Sequence, residues 1–198
     1  MSMDRIVVIG AGAGGMLAAG RAAAAGARVL LLEKMRSPGR KVGITGKGRC
    51  NLTNIAPLPE FIDHFGRNGR FLRQPFHRFF APELMEFFQS LGLDLVTERG
   101  GRVFPASGRA PEVVAALRGW LGREGVELHR SAPAEGIIVE QGMVRGVFCQ
   151  GRRISARAVI LATGGASYPA TGSTGDGYRM AGAAGHRIVP VRPALVPL

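Results

Sequence analysis

Residues 6–33 read IVVIGAGAGGMLAAGRAAAAGARVLLLE. Ile6-Val7-Val8-Ile9 is a short β-branched run, as expected for a strand buried on both faces. It stops at Gly10-Ala11-Gly12-Ala13-Gly14-Gly15, and an alanine-rich stretch follows to Gly26. Alanine is the best helix former and glycine a natural stop, so the spacing predicts a helix there. Arg28 to Leu32 is a second apolar strand that ends at Glu33. The segment is therefore G-x-G-x-x-G placed after a strand and opening a helix, with an acid 23 residues beyond Gly10. Gly10 makes the tight turn, Gly12 lets the backbone approach a pyrophosphate, and Gly15 lets helix pack closely on strand. Free N–H groups and the helix dipole favour phosphate at the helix start. Glu33 is placed to accept hydrogen bonds from a ribose diol, which favours FAD or NAD over NADP. The competing structural reading is a glycine turn that only packs a helix on a strand.

The next stretch, residues 43–54, reads GITGKGRCNLTN. Only Ile44 and Leu52 in it are large and apolar, so it suits neither a core strand nor an amphipathic helix. A P-loop needs G-x-x-x-x-G-K-[ST]; here Gly46-Lys47 is followed by Gly48, and Lys41 stands where the first glycine belongs. Cys50 has no neighbouring His in sequence, and a small residue in a tight loop is its expected role rather than a nucleophile. What remains is a backbone-rich loop with Arg40, Lys41 and Arg49, suited to phosphate, ribityl or ring.

Gly39-Arg40-Lys41, Ile44-Thr45-Gly46 and Gly48-Arg49-Cys50-Asn51-Leu52-Thr53-Asn54 together resemble the signature of the BaiN/YhiN-like flavoproteins. These are two-dinucleotide-binding-domain FAD proteins. Gly100 to Pro105, Leu161-Ala162-Thr163-Gly164-Gly165, Gly172 to Tyr178, Gly185-His186 and Pro193 to Leu198 continue the resemblance. It implies an α/β, Rossmann-like FAD-binding domain, with a parallel sheet, a three-stranded antiparallel crossover and a helical insertion. It also implies a flavin-dependent oxidoreductase, with hydride passing through flavin N5, NAD(P)H as electron donor and a small-molecule substrate. The family includes reductases of activated carbon–carbon double bonds and aminoacetone-oxidase-like members. With the first turn, the expected cofactor contacts are Gly10, Gly12, Ala13, Gly14, Gly15, Glu33 and Lys34. Further contacts are expected at Arg40, Lys41, Thr45, Gly46, Arg49, Cys50 and Asn51, then at Thr163, Gly164, Gly165 and Asp176. Asp176 is equally readable as a helix-start acid. No side chain is singled out as catalytic acid or base.

Leu58 to Leu91 reads as helical pieces broken at Gly66, Gly69, Pro75 and Pro82, with a helical insertion expected over about 57–92. Its phenylalanines, among them Phe61, Phe65, Phe71, Phe76, Phe79 and Phe80, are expected in a core. His64 and His77 are expected at the surface or in packing. Ala110 to Glu124 carries Val113, Val114, Leu117, Trp120 and Leu121 at helical spacing. Val126-Glu127-Leu128 reads as a parallel strand, and Gly136–Glu140, Met143–Cys149 and Arg152–Ala156 as a meander over about 134–156. Gln141-Gly142 and Gln150-Gly151 suit its tight turns. Ala158 to Leu161 returns as a buried strand.

Composition narrows the class. Two cysteines without a C-x-x-C argue against a zinc site or disulfide framework and fit a reducing cytoplasm. Arg21, Arg28 and the glycines interrupt the apolar N-terminal region, so no membrane span is expected. Net charge is +12, but no run of five basic residues and no nucleic-acid module is present, so nucleic acid is not the expected partner. Val189 to Leu198 holds three prolines and no closing element. The family's substrate domain and last FAD segment are thus expected to lie outside residues 1–198. The competing readings are an NAD(P)-only or regulatory nucleotide-binding module, a basic RNA-associated protein, and a truncated chain without activity of its own. Oligomeric state is not legible.

Overall fold

A computed structural model describes residues 4–192; the Pro193–Leu198 motif lies outside them. In chain order the elements begin with β1 (Arg5–Ile9), α1 (Ala13–Ala24), β2 (Arg28–Leu32), α2 (Arg40–Ile44) and β3 (Thr53–Asn54). Next come α3 (Leu58–Asp63), α4 (Arg73–Arg78), α5 (Ala81–Ser90), β4 (Leu95–Glu98), β5 (Arg102–Pro105) and α6 (Ala110–Arg123). The chain continues with β6 (Glu127–His129), β7 (Ala134–Glu140), β8 (Met143–Cys149), β9 (Arg152–Ser155), β10 (Ala158–Leu161) and α7 (Asp176–Ala183). These form two units, one from the segments up to Pro38 and from Gly125, the other from Gly39–Glu124.

The first unit is built on a parallel sheet of order β10-β1-β2-β6. The register sets Val7 beside Leu30 and Val159, and Ile9 beside Leu32 and Leu161. Because side chains alternate along a strand, these residues share one face. They pack with Val147, Cys149, Ala156 and Met180 in one core. Val8 and Leu31, on the opposite face, are also fully buried, so β1 and β2 are covered on both sides as their unbroken apolar runs require. Each such aliphatic side chain contributes about 1.5–3 kcal/mol on burial.

The link from β6 to β10 is a three-stranded antiparallel sheet of order β7-β8-β9 in place of a crossover helix. Its two hairpins turn at Gln141-Gly142 and Gln150-Gly151, all four with φ between 51° and 74°. That double positive φ is the type I′ requirement. The last of its strands ends at Ser155, one residue short of the expected Ala156.

The second unit pairs β3, β5 and β4 antiparallel. Against the expectation of breaks at Pro75 and Pro82, Pro75 lies within the first turn of α4 and Pro82 within that of α5. Early helical positions lack an intrahelical N–H partner, so proline is tolerated there. Gly66–Leu72 forms a 3₁₀ turn. In α6, Val113, Leu117, Trp120 and Leu121 are buried as their spacing predicts. The indole of Trp120 stacks edge-on against Phe87 at 4.8 Å. The phenylalanine core is partial. Phe61, Phe76 and Phe80 pack ring on ring, and Phe88 is 4% exposed, whereas Phe71 is 86% exposed.

Candidate cofactor site

The turn after β1 divides its glycines by physical role. Gly10 sits at φ 101°, and a Cβ there would lie 2.5 Å from the Ala162 carbonyl oxygen. A Cβ at Gly15 would lie 1.8 Å from the Gly10 carbonyl oxygen. The protein's own packing requires both glycines. At Gly12 and Gly14 a Cβ would meet nothing within 4 Å, so that side of the turn is open. Gly12 is the N-cap of α1 and contributes no side-chain cap. The first intrahelical donor is Met16, whose N–H reaches the Gly12 carbonyl at 3.0 Å. The amides of Ala13, Gly14 and Gly15 precede it and have no carbonyl one turn back. No acidic side chain stands in this first turn of the helix to offset its dipole.

Glu33 is 9% exposed at the end of β2. Its Oε2 accepts the Ala11 N–H at 2.8 Å, and Oε1 accepts the Met35 N–H at 2.8 Å. The carboxylate therefore anchors the glycine turn to the second strand. A carboxylate has about four acceptor positions, so two are left over for a diol. The sequence pointed to the ribose role but carried no sign of the anchoring one. Glu33→Gln replaces one acceptor by an NH₂ group facing a backbone N–H. We expect a stability loss of about 1–3 kcal/mol in the cofactor-free protein, read from the urea midpoint. An unchanged midpoint would show that the anchor contributes nothing.

β10 delivers the second glycine turn. Gly164 has φ 76°, and a Cβ there would approach the Ser173 hydroxyl to 2.9 Å. Ser173 is 6% exposed, and the sequence did not mark it as a site residue. The Gly175 N–H bonds the Gly165 carbonyl at 3.1 Å, bringing the start of α7 to this turn. Thr163 lies there too, its hydroxyl 2.3 Å from where a Gly177 Cβ would be. Lys34 and Asp176, both expected to contact the cofactor, hold each other: Nζ to Oδ2 is 2.6 Å, and Nζ also reaches the Thr174 hydroxyl at 2.5 Å. The Lys34 hydrogen bond, aided by Thr174 and the charge of Arg179, holds the Asp176 carboxyl below its ordinary range, against desolvation. This contribution to stability is complete above the ordinary carboxyl pKa of 3.8 and is lost as pH falls below it.

The remaining expected contacts lie in the second unit. Arg40 and Lys41 open the five-residue α2, a single turn of helix where only loop was expected. Thr45 and Gly46 belong to the 3₁₀ turn that follows, in which Gly46 and Lys47 are both left-handed. Arg49 makes a fork to Glu98, with Nη1–Oε1 at 2.7 Å and Nη2–Oε2 at 3.1 Å, and lies 4.2 Å over the Phe104 ring. The pair's hydrogen bond raises the Arg49 pKa and lowers that of Glu98. Arg49 thus ties the loop to the β4–β5 hairpin; the sequence carried no signal for Glu98. The Asn51 amide, in the orientation its bonds require, donates to the Thr53 carbonyl at 3.0 Å.

Cys50 is 3% exposed, and burial pushes its thiol up to about 11 from an ordinary 9.0. It stays protonated at neutral pH, which is the wrong state for a nucleophile. Folding favours the neutral thiol, so this group's share of stability is full below pH 9.0 and lost as pH rises towards 11. We expect alkylation of the folded chain at pH 8 to be at least about a hundredfold slower than in urea. Equal rates would contradict the buried, neutral thiol.

A four-stranded parallel sheet, an open glycine turn, an acid closing the second strand and an antiparallel crossover define the Rossmann-like FAD-binding fold of flavoprotein oxidoreductases. Residues 4–192 match the HI0933-like protein Rossmann domain, and the chain belongs to that family. It is 39% identical over 99% of its length to a 3-dehydro-bile acid delta(4,6)-reductase of Clostridium scindens, covering 47% of that protein. It is 30% identical over 96% of its length to a ribosomal RNA dihydrouridine synthase of Escherichia coli, again covering 47%. The chain thus spans about half the length of these curated relatives. Among solved structures, 3-ketosteroid delta1-dehydrogenase of Sterolibacterium denitrificans superposes with a TM-score of 0.69 at 19% identity, covering 92% of this chain and 55% of that one. A flavocytochrome c3 fumarate reductase superposes at 0.65 and 22% identity, covering 91% of this chain and 40% of that one. At these identities the likeness is one of fold. Among the described residues no helix is long and apolar enough to cross a membrane, and no cluster of His, Cys, Asp and Glu could hold a metal ion.

Proposed function

We propose that this chain is the FAD-holding portion of a flavin-dependent reductase. The observation that carries this reading is the contrast within one turn: protein atoms crowd Gly10 and Gly15, while Gly12 and Gly14 face open space. Main chain without Cβ atoms beside a helix start is what a pyrophosphate needs. The amides of Ala13 and Gly14 bind the pyrophosphate, and the free lone pairs of Glu33 take the ribose diol. Thr163, Gly164 and Gly165 approach the cofactor from the second turn. Lys34 and Asp176 support that turn through their ion pair. Arg40, Lys41, Thr45, Gly46, Arg49, Cys50 and Asn51 are carried as cofactor contacts on the family motif alone, Cys50 through its backbone.

Bound FAD supplies two-electron redox chemistry that no side chain of this portion provides. For the whole protein we propose NAD(P)H as donor and an acceptor whose carbon–carbon double bond is conjugated to a carbonyl. A 3-oxo steroid derivative and a uracil ring, suggested by the two curated relatives, share that feature. Two cysteines, both free and buried, accord with a cytoplasmic location. The test is a titration of FAD and of NAD into the purified chain. Saturable flavin binding with a changed visible spectrum supports the proposal; NAD binding without flavin binding overturns it.

A further inference from the structure

Residues 64–82, HFGRNGRFLRQPFHRFFAP, contain four arginines and two histidines and not one carboxylate. Asp63 and Glu83 flank the stretch, and Glu83 is turned onto the Phe80 N–H at 2.9 Å. Among the described residues, the side chains of Arg67, Arg70, Arg73 and Arg78 have no hydrogen-bond or ion-pair partner, and all four are exposed. Among the described residues five other arginines reach a carboxylate, Arg49 to Glu98 and Arg153 to Glu140 among them. The charge here is therefore uncompensated. His64 and His77 are exposed as well.

The backbone explains the display. A Cβ at Gly69 would lie 2.2 Å from the Ile62 carbonyl oxygen, so the 3₁₀ turn lies directly on α3 there, while Arg67, Asn68, Arg70 and Phe71 are exposed. In a 3₁₀ turn, residues three apart eclipse one another, with about 2.0 Å rise per residue. Arg67 and Arg70, with Arg73 where α4 begins, thus form a file spaced by about 6 Å. That is comparable to the phosphate step of an extended polynucleotide strand. Phe71, 86% exposed and without a ring partner among the described residues, stands beside this file with Phe65, 49% exposed. Phe65, Phe71, Arg67, Asn68 and Leu72 line a concavity of about 540 Å³.

We propose that this surface binds a single-stranded nucleic acid, with phosphates on the arginine file and a splayed base stacked on Phe71. Exposed aromatic faces next to unpaired cations are the means by which unpaired strands are held. A duplex keeps its bases stacked and has no use for the ring. An interfacial helix lays a continuous apolar face into a membrane surface. Here α3 and α4 have six residues each and the 3₁₀ turn seven, and no continuous apolar face is built. The proposal goes beyond the flavin reading and does not rest on it, since the patch lies wholly within the second unit.

The test is fluorescence anisotropy with a labelled 15-nucleotide RNA of mixed sequence, the same DNA sequence, and the RNA in duplex form. It is run on the 198-residue chain over a range of salt, with far-UV circular dichroism to confirm folding of every variant. Expected are binding of the single strands ahead of the duplex and a fall of log K with log salt. R67E/R70E/R73E should flatten that slope by about 2. Phe71→Ala should weaken binding at least about fivefold while leaving the slope unchanged. The charge-matched control R118E/R152E/R187E should keep the Phe71 dependence and most of the affinity. Equal loss in the control, duplex binding as tight as single-strand binding, or indifference to Phe71→Ala overturns the proposal. So does binding to vesicles of anionic phospholipid through this patch with none to RNA or DNA. Loss of flavin binding in a separate titration tests the cofactor reading and leaves this one standing.

Discussion

Gly12→Val yields a folded protein that no longer retains flavin. The site has φ −79° and ψ −171°, extended backbone that a β-branched residue adopts readily, and nothing stands within 4 Å of the new Cβ. The only folding penalty is a poorer N-cap, about 1 kcal/mol. For the cofactor, the two added methyl groups fill the open side of the turn, where a phosphate would meet the amides of Ala13 and Gly14. Affinity should fall at least a hundredfold, about 2.7 kcal/mol, and flavin absorbance should vanish after gel filtration. Flavin retained at wild-type stoichiometry would remove the turn from the cofactor site.

The second large effect is its mirror image. Gly15→Ala attacks the fold rather than the ligand. Its methyl carbon would lie 1.8 Å from the Gly10 carbonyl oxygen and 3.2 Å from the Ala162 Cβ. The nearer atom is backbone in the tight turn, so α1 must lift from the sheet. Overpacking costs about 1–3 kcal/mol where side chains can adjust, and rather more where backbone must move. We expect at least about 3 kcal/mol, a large part of a domain's total of about 5–15. Gly14→Ala is the matched control. Its Cβ meets nothing within 4 Å, and alanine improves on glycine in a helix by up to about 1 kcal/mol. Urea melts of the two variants measure the contrast. Should Gly15→Ala melt with Gly14→Ala, the close packing of α1 on β1 is not what the glycine is for.

The first βαβ unit was legible because each of its signals is local. A β-branched run, a glycine turn and an alanine helix agree residue by residue, and the hairpins announce themselves by Gln-Gly. The helix at 110–123 is equally plain from its apolar spacing. What escaped is long-range. Lys34 meets Asp176 across 142 residues, and no local rule pairs them. Glu33 reads in sequence as an acid facing a ligand, whereas its bond to the Ala11 N–H depends on the turn being folded already. Phe71 sits in an aromatic-rich stretch whose composition points to core. Whether a phenylalanine is buried depends on which side of its helix or turn meets a partner, and pieces of six and seven residues give too little periodicity to tell. The left-handed pair at Gly46 and Lys47 was also hidden, since lysine carries no preference for that conformation.

The strand order has a cost during synthesis. β1 pairs with β2 almost at once, but its other neighbour, β10, lies some 150 residues later, and β2 waits for β6 until residue 127. Contacts of such long sequence separation form late. On the ribosome, the ribbon of β1 and β2 therefore has both flanks unpaired until residue 127 is made, a state prone to sticking to other chains.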